Sequence, residues 1–126
     1  MLVVDDENIV LQAHKKAIEA MGFTVLIARD GVEAVEVFRR HEADIRLVLS
    51  DLSMPRMDGW ETLSALRKLA PGIPVILCSG YSEAQVMEGR HPELPQAFLR
   101  KPCTFAEFRK TIFQVLTRTA EEIATA

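Results

Sequence analysis

Cysteine is scarce: Cys78 and Cys103 are the only two in 126 residues, and their placement matches neither a disulfide framework nor a zinc site. So few thiols suit a reducing, cytoplasmic setting. Long apolar runs are absent too, since no stretch approaches the ~20 residues of a membrane helix. The apolar start Met1–Val4 runs straight into acids, unlike a secretory signal. Basic residues form no block: 15 Lys and Arg stand against 18 Asp and Glu, leaving a net charge of -3. That balance carries no electrostatic footprint for nucleic acid. Internal repeats, low-complexity tracts and linkers are also missing, and the length accommodates one domain over residues 1–126. At 48% hydrophobic and 26% charged, the composition excludes a disordered chain.

What is present alternates. Five short apolar runs, Met1–Val4, Phe23–Ala28, Arg46–Ser50, Pro74–Cys78 and Gln96–Leu99, are separated by helical patterns. Most runs are continuous, as expected of strands covered on both faces. Val10, Ala13, Ala17 and Met21 recur at helical spacing, and Gly22 follows as a C-terminal stop. Asp30 with Glu33, Asp58 with Glu61, Ser82 with Gln85 and Thr104 with Glu107 mark helix starts, each a capping residue with a polar partner three later. They predict helices over 31–41, 59–69, 83–88 and 104–118. Gly89, Pro92 and Pro95 keep the fourth helix short. Residues 119–126 either fray or extend the last helix. The order is (βα)5, which implies an α/β doubly wound parallel sheet with right-handed crossovers.

In such sheets sites gather beyond the carboxyl ends of the strands. There the sequence places Asp5, Asp6 and Glu7, then Asp51, then Ser79, Gly80 and Tyr81, then Arg100, Lys101 and Pro102. Three carboxylates in one place repel one another unless a cation neutralises them. Mg2+ takes a few carboxylates and accepts a phosphoryl oxygen in its octahedral shell, and Mn2+ can serve in its place. A lysine and a hydroxyl suit the remaining phosphoryl oxygens. Chemistry of this kind points to metal-assisted phosphoryl transfer onto an aspartate.

Val3-Val4-Asp5-Asp6-Glu7, Asp51-Leu52-Ser53-Met54-Pro55-Arg56-Met57-Asp58-Gly59, Ser79-Gly80-Tyr81 and Lys101-Pro102 together resemble the receiver domain of two-component response regulators. The resemblance covers essentially the whole chain and implies a flavodoxin-like sheet of strand order 2-1-3-4-5. It makes Asp51 the phosphoacceptor, taking a phosphoryl group from a phosphohistidine on a histidine kinase or histidine phosphotransfer domain. It assigns Mg2+ to Asp6 directly, Asp5 mostly through water, Asp51, and the backbone carbonyl of Ser53. Lys101 neutralises the phosphoryl oxygens; Ser79 and Phe98 form the switch that moves once Asp51 is modified. Lys101-Pro102 matches a bond held cis, and Ser53 and Tyr81 flank the path of a hydrolytic water, where Tyr81 slows phosphate loss. The reporting surface is the fourth helix, fifth strand and fifth helix, with scope for a phosphorylation-dependent dimer. A stand-alone enzyme is not expected, nor does this domain itself contact nucleic acid or membrane.

Other readings fit less well. A haloacid-dehalogenase-type aspartyl phosphatase would carry its nucleophile in an Asp-x-Asp motif after strand one, where this chain has Asp5-Asp6-Glu7-Asn8. An FMN binder needs a Ser, Thr or Gly-rich loop there, and an acidic pair repels phosphate. A phosphorylation-independent pseudo-receiver would not need every key group retained. The short fourth helix and Cys78-Ser79-Gly80-Tyr81-Ser82 resemble receivers of hybrid sensor histidine kinases, and the close-cut first strand suggests a segment of a longer protein. Away from the site, Cys78 is expected to be buried and Cys103 a free thiol. His14, His41 and His91 are expected on the surface. Trp60, Leu63 and Leu66 are expected to pack the third helix, and Phe105, Phe108 and Ile112 the inner face of the last.

Overall fold

The computed structural model describes residues 1–89 and 91–125, with side chains as far as Arg118. Five parallel strands form one sheet in the order β2-β1-β3-β4-β5. Along the chain run β1 (Leu2–Val4), α1 (Asn8–Ala20), β2 (Leu26–Ala28), α2 (Gly31–His41), β3 (Val48–Asp51), α3 (Gly59–Leu69), β4 (Val75–Ser79), α4 (Glu83–Val86), β5 (Ala97–Arg100) and α5 (Phe105–Thr125). Because side chains alternate across a strand, each strand feeds two cores. Val3, Leu49, Ile76, Cys78 and Leu99 meet Leu11 and Ile18 of α1 and Phe108, Ile112 and Val115 of α5. Leu2, Val4, Val48, Val75 and Leu77 meet Ala34 and Phe38 of α2 and Leu63 and Leu66 of α3. Coverage on both faces explains why the strands read as continuous apolar runs.

The predicted caps form. Asp30 accepts the Glu33 amide, and Asp58 with Glu61 and Ser82 with Gln85 close full capping boxes. Thr104 Oγ1 accepts the Glu107 amide at 3.1 Å. As expected, α4 is short, but it is a single turn that ends at Val86 rather than at residue 88. The last helix extends to Thr125, with Ala126 outside the described residues. A 3-10 turn over Glu42–Asp44 carries no signal in the apolar pattern.

Several expectations need correction. The second strand begins at Leu26 rather than Phe23: Gly22 adopts φ 93° and the Phe23 amide bonds back to Ile18, so Phe23 closes α1 instead of joining the ladder. Strands β3, β4 and β5 are shifted towards their carboxyl ends. They begin at Val48, Val75 and Ala97 rather than at Arg46, Pro74 and Gln96, and each ends one residue later than predicted, because Asp51 pairs with Cys78 and Ser79 with Arg100. Helix α1 buries Leu11 and Ile18, seven residues apart, rather than the Val10–Ala13 edge. Phe105 is 53% exposed, standing at the first position of α5 before the helix meets the core. Of the three histidines only His41 lies exposed. His14 is half-buried and stacks on Phe108 at 5.0 Å, and His91 stacks on Trp60 at 3.5 Å.

Candidate functional site

The carboxyl ends of β1, β3, β4 and β5 bring the chemistry together. Asp5 directly follows β1, its amide bonded to the Ala28 carbonyl at 3.1 Å, so sheet pairing with β2 sets its height. Its Oδ1 accepts the Glu7 amide at 2.9 Å and its Oδ2 accepts from Lys101 Nζ at 2.8 Å. The same ammonium lies 3.1 Å from Asp51 Oδ1, the last residue of β3. Carboxylate oxygens of Asp5, Asp6 and Asp51 all lie within 4.8 Å of one another. Asp5 and Asp51 are buried, whereas Asp6 is exposed. Among the described residues no hydrogen bond engages the Asp6 carboxylate.

Close backbone approach makes this possible. The Gly59 amide, at the start of α3, donates to the Leu52 carbonyl at 2.7 Å. A Cβ on Gly59 would stand 2.7 Å from the Asp51 carbonyl oxygen and 2.8 Å from Leu52 Cα, so only glycine fits there. The ends of the loop from Ser53 to Asp58 are thereby drawn together against the Asp51–Leu52 backbone. Its Ser53 carbonyl receives no donor among the described residues.

Electrostatics separate the members. Burial, the largest influence, raises the Asp51 carboxyl to about 6; Lys101 opposes the rise, while the charges of Asp5 and Asp6 add to it. Burial pulls the Lys101 ammonium down, but the hydrogen bond to Asp5 and the charges of Asp51 and Asp5 outweigh it and hold it above its ordinary value. Three hard oxygen donors around one point, with a neighbouring cation already attracted, fit a divalent ion of the Mg2+ class.

Ser79 ends β4, buried, with its Oγ accepting the Tyr81 amide at 3.1 Å. The Ser79 carbonyl accepts the Lys101 amide at 2.7 Å, joining hydroxyl and ammonium through one backbone bond. The Lys101–Pro102 peptide is cis, as expected. Phe98 is half-buried against the α2–α3 core, and Tyr81 is 62% exposed at the rim. Cys78 is buried and its thiol is raised by burial. Cys103 is half-buried, also raised first by burial and then by Glu107.

Two arginine clamps, one at this edge and one at the opposite, amino end of β4 and β5, carry no local signal, because the side chains they pair with lie 26 or more residues away. Arg56 pairs with Asp30. Arg67 donates to Glu93 Oε1 at 3.0 Å and to Gln96 Oε1 at 2.6 Å, pinning the segment after α4 onto α3.

A five-stranded sheet of order 2-1-3-4-5 with an acidic triad, lysine and hydroxyl at its carboxyl edge defines a class, and sequence comparison agrees. Residues 1–113 match the family model for the response regulator receiver domain, and the chain belongs to that family. It is 34% identical over 118 residues to the sensor kinase CckA of Brucella abortus, covering 94% of this chain and 12% of that protein. Similarity to the transcriptional regulatory protein ZraR of Klebsiella oxytoca is 31%, over 94% of this chain and 26% of the relative. The chain thus spans well under two thirds of these relatives. Among solved structures, a receiver domain protein from Clostridium thermocellum superposes with a TM-score of 0.82 at 29% identity, covering 94% of each chain. The receiver domain of the hybrid histidine kinase CckA gives 0.76 at 30% identity, covering 91% of this chain and 96% of that one. CheY in a CheX-CheY-BeF3-Mg complex from Borrelia burgdorferi gives 0.82 at 27%, over 91% and 87%. Among the described residues no helix is long and apolar enough to cross a membrane.

Proposed function

We propose that this receiver domain accepts a phosphoryl group onto Asp51 from a phosphohistidine of a histidine kinase or histidine phosphotransfer domain. The observation that carries this is Lys101 Nζ standing between Asp5 and Asp51, with Asp6 completing the acidic cluster. An Asp51 carboxylate oxygen attacks phosphorus, the P–N bond breaks, and the leaving imidazole takes up a proton. Lys101 is positioned to neutralise phosphoryl oxygens, and the Ser79 hydroxyl to donate to one of them. A divalent cation, Mg2+ or Mn2+, held by Asp6, Asp51, the Ser53 carbonyl and, through water, Asp5, would offset the negative charge gathering at phosphorus. The unengaged Asp6 carboxylate supports its role as the direct ligand.

Phosphorylation adds charge beside Lys101 and favours a state with Ser79 drawn in and Phe98 turned inward, altering the surface of α4, β5 and α5. Similarity to CckA on both comparisons favours a receiver of the hybrid-kinase kind, with a cytoplasmic phosphotransfer histidine as partner. Residues 1–126 act in this reading as one receiver unit and not as a stand-alone enzyme.

Beryllofluoride with Mg2+ tests the reading. Amide signals of Asp51, Ser79 and Lys101 should shift together, and Asp51→Asn should abolish the shifts and the labelling by a phosphohistidine donor. Unshifted signals in the wild-type chain, or undiminished labelling of Asp51→Asn, would overturn it.

A further inference from the structure

Arg56 takes no part in the acidic cluster, yet it is the one residue other than glycine with a positive φ, 64°, among the described residues. That region disfavours any residue carrying a Cβ. It sits midway along the loop between Asp51 and α3. The loop's ends are tied by the Gly59 amide to the Leu52 carbonyl. Inside, among the described residues, the backbone is braced by the Met57 amide bonding to the Pro55 carbonyl at 2.7 Å and, at the loop's last residue, by the Asp58 amide bonding to Glu61 Oε1 at 3.4 Å. A three-residue turn about a positive φ is the rarer, strained hand of that turn.

Something must hold it, and the side chain does. The Arg56 guanidinium reaches Asp30, 26 residues earlier, with Nε donating to Oδ2 at 3.0 Å and Nη2 pairing with the same oxygen. Asp30 is itself fixed. It is buried, and its other oxygen caps α2 by accepting the Glu33 amide at 2.9 Å. The guanidinium thus ties a thinly braced loop to a rigid helix start, on a carboxylate oxygen that the cap leaves free.

We infer that Arg56 is a positioning residue: its pairing with Asp30 holds the loop, and with it the Ser53 carbonyl, in the conformation that binds the divalent cation. This rests on the proposed cation site. An exposed ion pair with no such role would contribute little to anything measured. Outer partners that orient metal ligands, by contrast, change metal affinity by about ten- to a hundredfold.

The test is calorimetric titration of Mg2+ into the wild-type chain and five variants, each first shown to be folded by its thermal melt in EDTA. Arg56→Ala and Asp30→Asn should each weaken Mg2+ about tenfold, and the double variant should be no weaker than either. Asp30→Asn keeps the cap, because asparagine caps as well as aspartate. Arg56→Gly relieves the backbone while removing the guanidinium, so it folds readily and should still bind weakly. Arg56→Lys should recover part of the affinity. Without metal, the Met57 amide should exchange faster in Arg56→Ala. Wild-type affinity in Arg56→Ala and Asp30→Asn would overturn the inference while leaving the cation site standing. A wild-type chain that binds no Mg2+ would bring down the cation site and this inference with it.

Discussion

Lys101 Nζ lies 3.1 Å from Asp51 Oδ1, and the pair leaves the aspartate carboxyl raised rather than lowered. Burial outweighs the attraction, and Lys101 is also engaged at 2.8 Å with Asp5. In metal-free solution Asp51 should therefore titrate near 6. Lys101→Gln should push it higher, because the opposing charge is gone, and added Mg2+ should push it lower. Carboxyl-carbon NMR titration reads all three directions.

The same shift sets a stability profile. Asp51 rises from the ordinary 3.8 to about 6 on folding, so the folded chain binds that proton more tightly than the unfolded one. Its contribution is full below pH 3.8 and is lost as pH rises through about 6. Asp51→Asn, which carries no charge to bury, should be more stable than wild type by about 1–3 kcal/mol at pH 7.5 without metal. At pH 4 the gain should vanish. Urea unfolding at the two pH values measures it.

Gly59→Ala should cost about 1–3 kcal/mol, because its Cβ meets backbone rather than a yielding side chain. The displaced atoms include the Asp51 carbonyl, so phosphoryl acceptance should fall more than stability alone explains. Labelling rates compared well below the melting temperature separate the two effects.

Arg67→Ala should destabilise the chain by about 2–3 kcal/mol, since its nearly buried guanidinium bonds the Ile73 and Leu94 carbonyls, Glu93 and Gln96. Gln96 Oε1 also accepts the Val75 amide at 2.7 Å, so that amide should exchange faster in the variant. Chemical denaturation and hydrogen exchange check both.

Tyr81→Ala tests the shielding of the phosphoryl group. Tyr81 stands exposed at the rim beside Ser79, and its removal should speed phosphate loss from Asp51 severalfold. Timed release of labelled phosphate gives the answer, and an unchanged or slower loss would refute shielding.

Local chemistry made much of this molecule legible. Asp58 with Glu61 and Ser82 with Gln85 marked helix starts through bonds three residues apart, and both boxes form. Asp5, Asp51, Ser79 and Lys101 declared themselves because a parallel sheet carries its strand ends to one edge. What stayed hidden depends on partners far along the chain. Phe105 fits a helical apolar stripe, yet it stands exposed at the start of α5. His14 and His91 were expected on the surface but stack on Phe108 and Trp60, rings supplied by other elements.

The sequence by itself determined the alternation of strands and helices, the caps, and which residue types gather at the carboxyl edge of the sheet. These depend on spacings of a few residues and on where strands end. Only the tertiary structure decided which carboxylate shares Lys101, how far burial lifts Asp51, and that Arg56 reaches Asp30. Those outcomes depend on distances between segments up to 96 residues apart, where Coulomb and desolvation terms compete and only folded geometry sets the winner.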